Sequence, residues 1–191
     1  MLFVWQVVFH PPDSNSIKPS LRLLSMRPSK KMSASRSIRE NIVLPGDTND
    51  HDTLFGGILM KYIDESAAIS ARRHSGCPCV TASIDGVHFH RPISRDSIVR
   101  LTSFVCSVGR SSMEVFLSIT TENCRTGKIE LAAVSFSTFV ALGDDGKPCE
   151  VPTVIPESEL EKRLLADEKN RREARLKKRG ETIELIKSLD L

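Results

Sequence analysis

Aromatic residues are scarce in this 191-residue chain, which has one Trp and one Tyr against eight Phe. Its basic residues are spread along the chain instead of massed beside aromatics, so nucleic acid is not the default partner. The five cysteines, Cys77, Cys79, Cys106, Cys124 and Cys149, include no CxxC pair, and no histidine stands at zinc-finger spacing. An odd thiol count of that kind suits a reducing compartment. No stretch approaches the ~20 apolar residues needed to span a bilayer. No Gly-Lys-Ser or Gly-Lys-Thr follows a glycine-rich turn, which excludes a Walker phosphate loop. No Gly-x-Ser-x-Gly elbow occurs either, which argues against an α/β-hydrolase.

What is present is enough for one domain with extensions. A 40% hydrophobic share can build a core without disulfides or metal. The net charge of +3 and pI near 8.6 are mild, and suit a small anionic ligand such as a nucleotide phosphate. The start, MLFVWQVVFHPPDS, has no basic leader and is a poor signal peptide. Residues 15–38 are rich in Ser, Arg and Lys, like an organelle transit peptide, although Met26 or Met32 would serve equally as a start. Residues 1–35 are therefore expected to be a disordered or targeting leader, 36–155 the folded domain and 156–191 a charged helical tail.

Within 36–155 the first strand is expected in Arg36–Asp47, closed by Pro45-Gly46. From Gly57 to about His74 the apolar residues Ile58, Leu59, Tyr62, Ile63, Ala67, Ala68 and Ala71 recur at helical spacing, with no Pro or Gly until Gly76. Four strand-like segments follow, Val80–Pro92, Ile98–Val108, Met113–Asn123 and Ile129–Leu142, joined by hairpin-like connections. One long helix beside a meander of long strands is an α+β pattern, in which the sheet buries its apolar face on that helix. The tail carries both signs of charge and hardly any apolar face from Lys169 to Lys178. It reads as a solvated helix, or as a contact with a neighbouring subunit or with ligand phosphates.

The chemistry centres on TNDHDTLFGGILMKYIDESAAISARRH, residues 48–74. Gly56 and Gly57 stand where a loop becomes a helix, so a ligand can approach the backbone and the first helical amides are unpaired. That makes either an anion site, for a phosphate or for the oxyanion of an attacked ester or thioester, or a plain hinge. Asp64 lies seven residues past Gly57, on about the same helix face. It reads as a general base activating water, or as a surface acid balancing Arg72 or Arg73. Glu65 is rotated by about 100° and points elsewhere. The Cys77-Pro78-Cys79 run reads as a turn into a strand, or as a metal or redox element. His51 is close to the motif but is more simply solvated. His88 and His90 share a strand face without an acid or cysteine at matching spacing, and are weak metal ligands.

Taken in order, this motif, then CVTASIDGVHFHRPI, then VGRSSMEV resemble the hotdog-fold acyl-CoA thioesterases, in particular the cytosolic acyl-CoA hydrolase group, over roughly Ser37 to Thr153. The resemblance implies a curved antiparallel sheet wrapped around one long central helix, and hydrolysis of fatty acyl-CoA to fatty acid and coenzyme A. It implies a backbone oxyanion donor at Gly57, with Gly56 shaping the turn, and an acid on the helix at Asp64. Some relatives carry the acid or an amide two residues before the loop phenylalanine. That position is Thr53 here, which cannot act as a base, so Asp52 or Asn49 would orient water if Asp64 does not take the proton. Active sites of the family lie between subunits, with Thr81 and Ser83 as polar supports. Gly109, Arg110, Ser111 and Ser112 are implied contacts for coenzyme A, although a plain hairpin would need only the glycine. No metal and no cofactor is implied, coenzyme A being part of the substrate. The implied partners are acyl-CoA and a second copy, a homodimer extending to a trimer of dimers, without nucleic acid or membrane. The implied location is cytoplasmic, or mitochondrial if the leader is a transit peptide. Two other readings use the same pocket: a non-catalytic acyl-CoA binding regulator, and a hotdog hydratase or dehydratase that would need His88 or His90.

Overall fold

The computed structural model describes residues 27–189; the expected leader up to residue 26 lies outside the described residues. A long helix, α1 (Gly56–Ser75), is bounded by its own chemistry. No proline interrupts it, and it ends where Gly76 turns left-handed at φ 75° and donates its N–H to Arg72 O at 2.8 Å. Arg72 and Arg73 in the last turn complement the helix dipole. Lys30 Nζ adds a bond to His74 O at 2.7 Å.

The strands are β1 (Ser29–Lys31), β2 (Ser37–Ile42), β3 (Cys79–Phe89), β4 (Ile98–Val108), β5 (Ser112–Glu122), β6 (Ile129–Ala141) and β7 (Thr153–Ile155). Five of them form one antiparallel sheet in the order β2-β4-β5-β6-β3. Register shifts in the β3–β6, β4–β5 and β5–β6 pairs mark bulges, which bend strands. One face receives α1: Leu59, Ile63, Ala67 and Ala71 pack with Leu101, Val115, Leu117 and Phe139 in a single core. Small residues on the helix, Ser66, Ala67, Ser70 and Ala71, let strands come close, and Ser70 and Ser103 share a hydroxyl contact of 2.8 Å. The expected α+β architecture, a sheet around one helix, is the one observed.

Two expectations need correction. The leader is not featureless to residue 35. β1 pairs in parallel with β7, and Met32 and Ser35 are buried. The reason is a second apolar cluster on the outer face of the sheet, where Met32, Phe104, Cys106 and Phe116 pack with Phe136, Leu164 and Leu165. The tail is likewise no free solvated helix. Its first segment, α2 (Glu159–Ala166), starts with a capping box between Ser158 and Glu161 and lays Leu164 and Leu165 over that outer cluster. The second, α3 (Glu168–Lys187), has no buried residue, yet Arg171 and Arg175 reach Glu114 of β5.

Glu114 is 2% exposed on the sheet face that carries Phe104, Phe116 and Phe136, and it also accepts from Ser107 Oγ at 3.1 Å. Burial pushes its carboxyl up, but the Arg171 hydrogen bond and the charges of Arg175 and Arg171 outweigh that and hold it below the usual carboxylate range. Arg171 Nη2 lies 2.6 Å from Glu114 Oε2, and the guanidinium also stacks 4.7 Å from the Phe136 ring centre. Arg175 adds a bond to Glu114 and sits 3.7 Å from Asp85.

His74 is fully buried and its Nε2 lies 2.9 Å from Pro152 O. A carbonyl only accepts, so Nε2 carries the hydrogen and the unpartnered Nδ1 is bare. Burial therefore lowers its pKa below the ordinary 6.5, against the Pro152 carbonyl and with the help of Lys30. A depressed folded-state pKa means that the unfolded chain binds the proton first. Stability is then complete above pH 6.5 and falls as pH drops through the folded value. The expected result is a urea midpoint that declines from about pH 6.5 downward, with Glu114 adding a second decline below its ordinary 4.5. His74→Gln, which keeps an N–H for Pro152, should flatten the upper decline alone.

Candidate functional site

The loop before α1 is organised by one side chain. Asn49 Oδ1 accepts from His51 N at 2.9 Å, Thr53 N at 3.3 Å and Thr53 Oγ1 at 3.1 Å. Three donors around one atom identify it as the oxygen and leave the Asn49 NH2 as the available donor. Backbone bonds from Asn49 N to Thr53 O, Phe55 N to Asp47 O and Leu54 N to Ile93 O close the loop onto the β3–β4 connection. Thr53 and Asp52 both have partners beside this loop. The Thr53 hydroxyl is turned to Asn49, and its backbone bridges to Ser94. Asp52, at φ 55°, is exposed and held 3.1 Å from Arg95.

At the helix start Phe55 is the N-cap and offers no side-chain acceptor. Its carbonyl takes the Ile58 and Leu59 amides, so the Gly56 and Gly57 N–H groups are those left to face outward. A Cβ at Gly57 would come within 2.7 Å of the Phe55 ring, so glycine is what lets the ring lie across the first turn. Gly56 is open on all sides.

Asp64 is half-buried, and its Oδ1 accepts a 2.7 Å bond from Thr81 Oγ1 on β3. Thr81 leaves the second carboxylate oxygen, Oδ2, without a bond from this chain among the described residues. Glu65 is indeed turned elsewhere, to Arg39 on β2, whose guanidinium lies over the Tyr62 ring at 4.2 Å. Thr81, Asp64 and the helix start thus belong to one side of α1, beside the free edge of β3, which no other strand covers among the described residues.

Three expected contacts are not brought to this place. Ser83 pairs with Thr138 on the outer face and donates to Asp85 at 2.7 Å, because the bulge after Thr81 reverses the facing of the strand. His88 pairs with Val134, which packs in the outer cluster, so it lies on the face away from α1 and cannot serve Asp64 as a hydratase histidine. The Gly109–Ser112 hairpin lies two strands across the sheet from Thr81, which shares a row with Phe139 and Met113, and at the end of the sheet away from Gly57. It is bonded to the end of β6 and to the segment before β7 through Ala141 N to Ser111 O and Val151 N to Arg110 O. Gly109 itself is explained by the turn, since a Cβ there would meet Ser112 Oγ at 2.6 Å.

A family model described as thioesterase superfamily matches residues 51–128. An uncharacterized acyl-CoA thioester hydrolase of Bacillus subtilis is 54% identical over 127 residues, 66% of this chain and 74% of that protein. The cytosolic acyl coenzyme A thioester hydrolase of Rattus norvegicus is 33% identical over 79% of this chain, which spans 40% of that longer protein. Among solved structures, the acyl-CoA hydrolase of Staphylococcus aureus, in complex with butyryl coenzyme A, coenzyme A and coenzyme A disulfide, superposes with a TM-score of 0.82 at 44% identity, over 86% of this chain and 100% of that one. A hexameric acyl-CoA thioesterase gives 0.77 at 42% identity, over 79% of this chain and 97% of that one. Alanine variants of the Staphylococcus enzyme have also been solved, at an asparagine, at an aspartate fifteen residues later and at a threonine seventeen residues beyond that. Asn49, Asp64 and Thr81 stand at the same two intervals.

Proposed function

The chain belongs to the thioesterase superfamily, among its acyl-CoA thioester hydrolases, and from that membership we propose that it hydrolyses fatty acyl-CoA with Gly57, Asp64, Thr81 and Asn49 as its working groups. The observation that carries this reading is the Thr81 bond to Asp64 beside an uncapped helix start. Thr81 occupies one carboxylate oxygen and fixes the plane of the group. The other oxygen, Oδ2, takes a proton from water as the water attacks the thioester carbon. Charge then develops on the carbonyl oxygen, where the Gly57 N–H and the positive end of the helix dipole stabilise it. Collapse expels the coenzyme A thiolate, which recovers the proton from Asp64. The Asn49 NH2, fixed by its own loop, supplies a second donor for the oxyanion or for the water. The chain provides every group this step requires, so no cofactor enters it.

A single copy leaves this site open along β3. That strand is long, carries half-buried Val80, Ala82 and Ile84, and has an edge that is unpaired among the described residues, which natural sheets cover or pair. We place a second copy there, related by a two-fold axis that runs its α1 antiparallel to the first. The partner's Gly109–Ser112 hairpin then comes to the Gly57 end, where Arg110 and the neighbouring amides suit the phosphates of coenzyme A. The assembly is thus a dimer with composite sites, and a trimer of such dimers agrees with the hexameric relative. The cytosolic name of the rat relative favours a cytoplasmic setting.

The test is release of free thiol from acyl-CoAs of increasing chain length, where no release with any chain would leave only the binding regulator. Thr81→Val should lower kcat about tenfold or more with KM little changed, because it frees Asp64 to turn without touching substrate binding. Thr81→Ser, which restores the hydroxyl, should recover most of the loss.

A further inference from the structure

The half-buried residues of α3 all lie on one stripe: Glu168, Arg171, Arg175, Arg179 and Ile183, spaced by three or four. The stripe continues into Ile186 and Leu189, each 51% exposed, with Leu185 beside them at 60%. Its chemistry changes on the way. The first part is charged and meets acids of its own sheet, Arg171 at Glu114 of β5 and Arg175 between Glu114 and Asp85 of β3. The last part is apolar, and none of it is buried. The same contacts give the helix a direction. Glu168 and Arg172 border Ser107 of β4 and the Gly109–Ser112 hairpin, Arg171 lies over the Phe136 ring of β6, and Arg175 reaches Asp85 on β3. α3 therefore crosses the outer face in the order β4, β5, β6, β3, towards the free edge of the sheet. Ile186 stands past Arg175 by about 16 Å of helix, whereas neighbouring strands are about 5 Å apart. The apolar end thus passes beyond β3.

We propose that the last turns of α3 are a strap: they cross the seam along β3 and bury Ile183, Ile186 and Leu189 on the outer face of the sheet of a second copy. This rests on the two-fold pairing along β3 proposed above, and adds to it a second contact on the face away from α1. The switch of the stripe from arginine to isoleucine falls where the helix leaves the acids of its own sheet, so each half suits the surface beneath it. By the two-fold, each copy gives one strap and receives one. A lipid surface fits the same residues less well, because Glu181 and Glu184 stand among them, whereas helices that lie on anionic membranes carry lysine and arginine there. The strap also ties the partner to the hairpin, since the first turn of the same helix borders Gly109 and Ser112.

The experiment places the photoreactive residue benzoylphenylalanine in the full chain at Ile186, and separately at Lys177, which is exposed on the opposite face of α3. Each sample is first sedimented to establish its assembly, then irradiated, run on a denaturing gel and mapped by mass. The expected result is a band of twice the chain mass from position 186 alone, with the linked peptide coming from β3 of the second copy. Ile186→Lys, and a chain ending at Arg179, should each raise the dissociation constant of the dimer about tenfold or more, because both remove apolar area from the seam. Both keep Arg171 and Arg175, so the helix stays anchored. A dimer whose position 186 links only within its own chain, links to a peptide away from β3, or links to nothing would overturn the strap and leave the two-fold standing. A monomer would overturn both. Co-sedimentation with phosphatidylglycerol vesicles that is lost in the shortened chain, with no doubled band, would assign the apolar end to lipid instead. Thiol release from acyl-CoA, measured on the same samples, tests the hydrolase reading apart from all of these.

Discussion

Asp64→Ala is expected to lower kcat for acyl-CoA hydrolysis by about 10²–10⁴-fold, the range of a positioned acid–base group. The protein should otherwise be intact. Asp64 is only half-buried and its one recorded bond is to Thr81, so its removal opens no core cavity and strands no buried charge. KM should change little, since in the proposed step Asp64 acts on the water and not on the coenzyme A moiety. Glu65→Ala is the control: it breaks the Arg39 pair on the other side of the helix and should leave kcat within about twofold, as surface pairs contribute little. Thiol release measured on both, with Tm recorded alongside, separates catalysis from folding. Full activity in Asp64→Ala would remove it as the base. A loss confined to Asn49→Ala would then move the water-orienting step into the loop, whereas Asp52→Ala should be silent because Arg95 already holds that acid.

Double replacement of Arg171 and Arg175 by alanine should destabilise the fold by about 3–5 kcal/mol, the cost of leaving a buried carboxylate unpaired. For a chain of this size that corresponds to a fall in Tm of about 6–20 °C. Glu114 is the cause, being 2% exposed beside Phe116 and Phe136 with both guanidinia as its partners. Adding Glu114→Met to the double variant should recover most of the loss, because an apolar side chain of similar size suits that face. A double variant with unchanged Tm, or a triple variant no better than the double, would show that α3 is not anchored through this cluster. Thermal scans with urea midpoints measure both.

Much of this was legible from residue order because its signals are periodic. The helix appeared through apolar spacing from Ile58 to Ala71 ended by Gly76, and the four long strands lie within a few residues of their expected bounds. That Gly57 and Asp64 share a helix face follows from their spacing, since seven residues nearly close two helical turns. What stayed hidden depends on facing. Ser83 was read as a neighbour of Thr81, and a one-residue bulge sent it to the other side of the sheet. The tail seemed apolar-poor, and its Arg171 and Arg175 carry meaning only once Glu114 is seen to be enclosed. One signal was available: Phe104, Phe116 and Phe136 occupy the strand positions that alternate with the helix-facing core, so the outer face had to be covered by something. That cover is supplied by α2, through Leu164 and Leu165. The role of Asn49 as the organiser of its loop has no such signal, since three bonds to one amide oxygen leave no periodic trace.

The two-stranded pairing of β1 with β7 bears on how the molecule closes and opens. Ser29 and Thr153, whose hydroxyls meet at 2.7 Å, are 124 positions apart in the chain, and the ladder is only three residues long. Closing so long a loop for so few bonds is favourable only after the main sheet has brought its ends together, which makes this the last seam to form. By the same reasoning it is the first to part: the amides of Thr153 to Ile155 should exchange with solvent through local openings far cheaper than global unfolding. Each opening lifts Val154 from the outer cluster, so breathing at this seam would loosen the sheet's outer face while α1 and the Asp64 site stay closed.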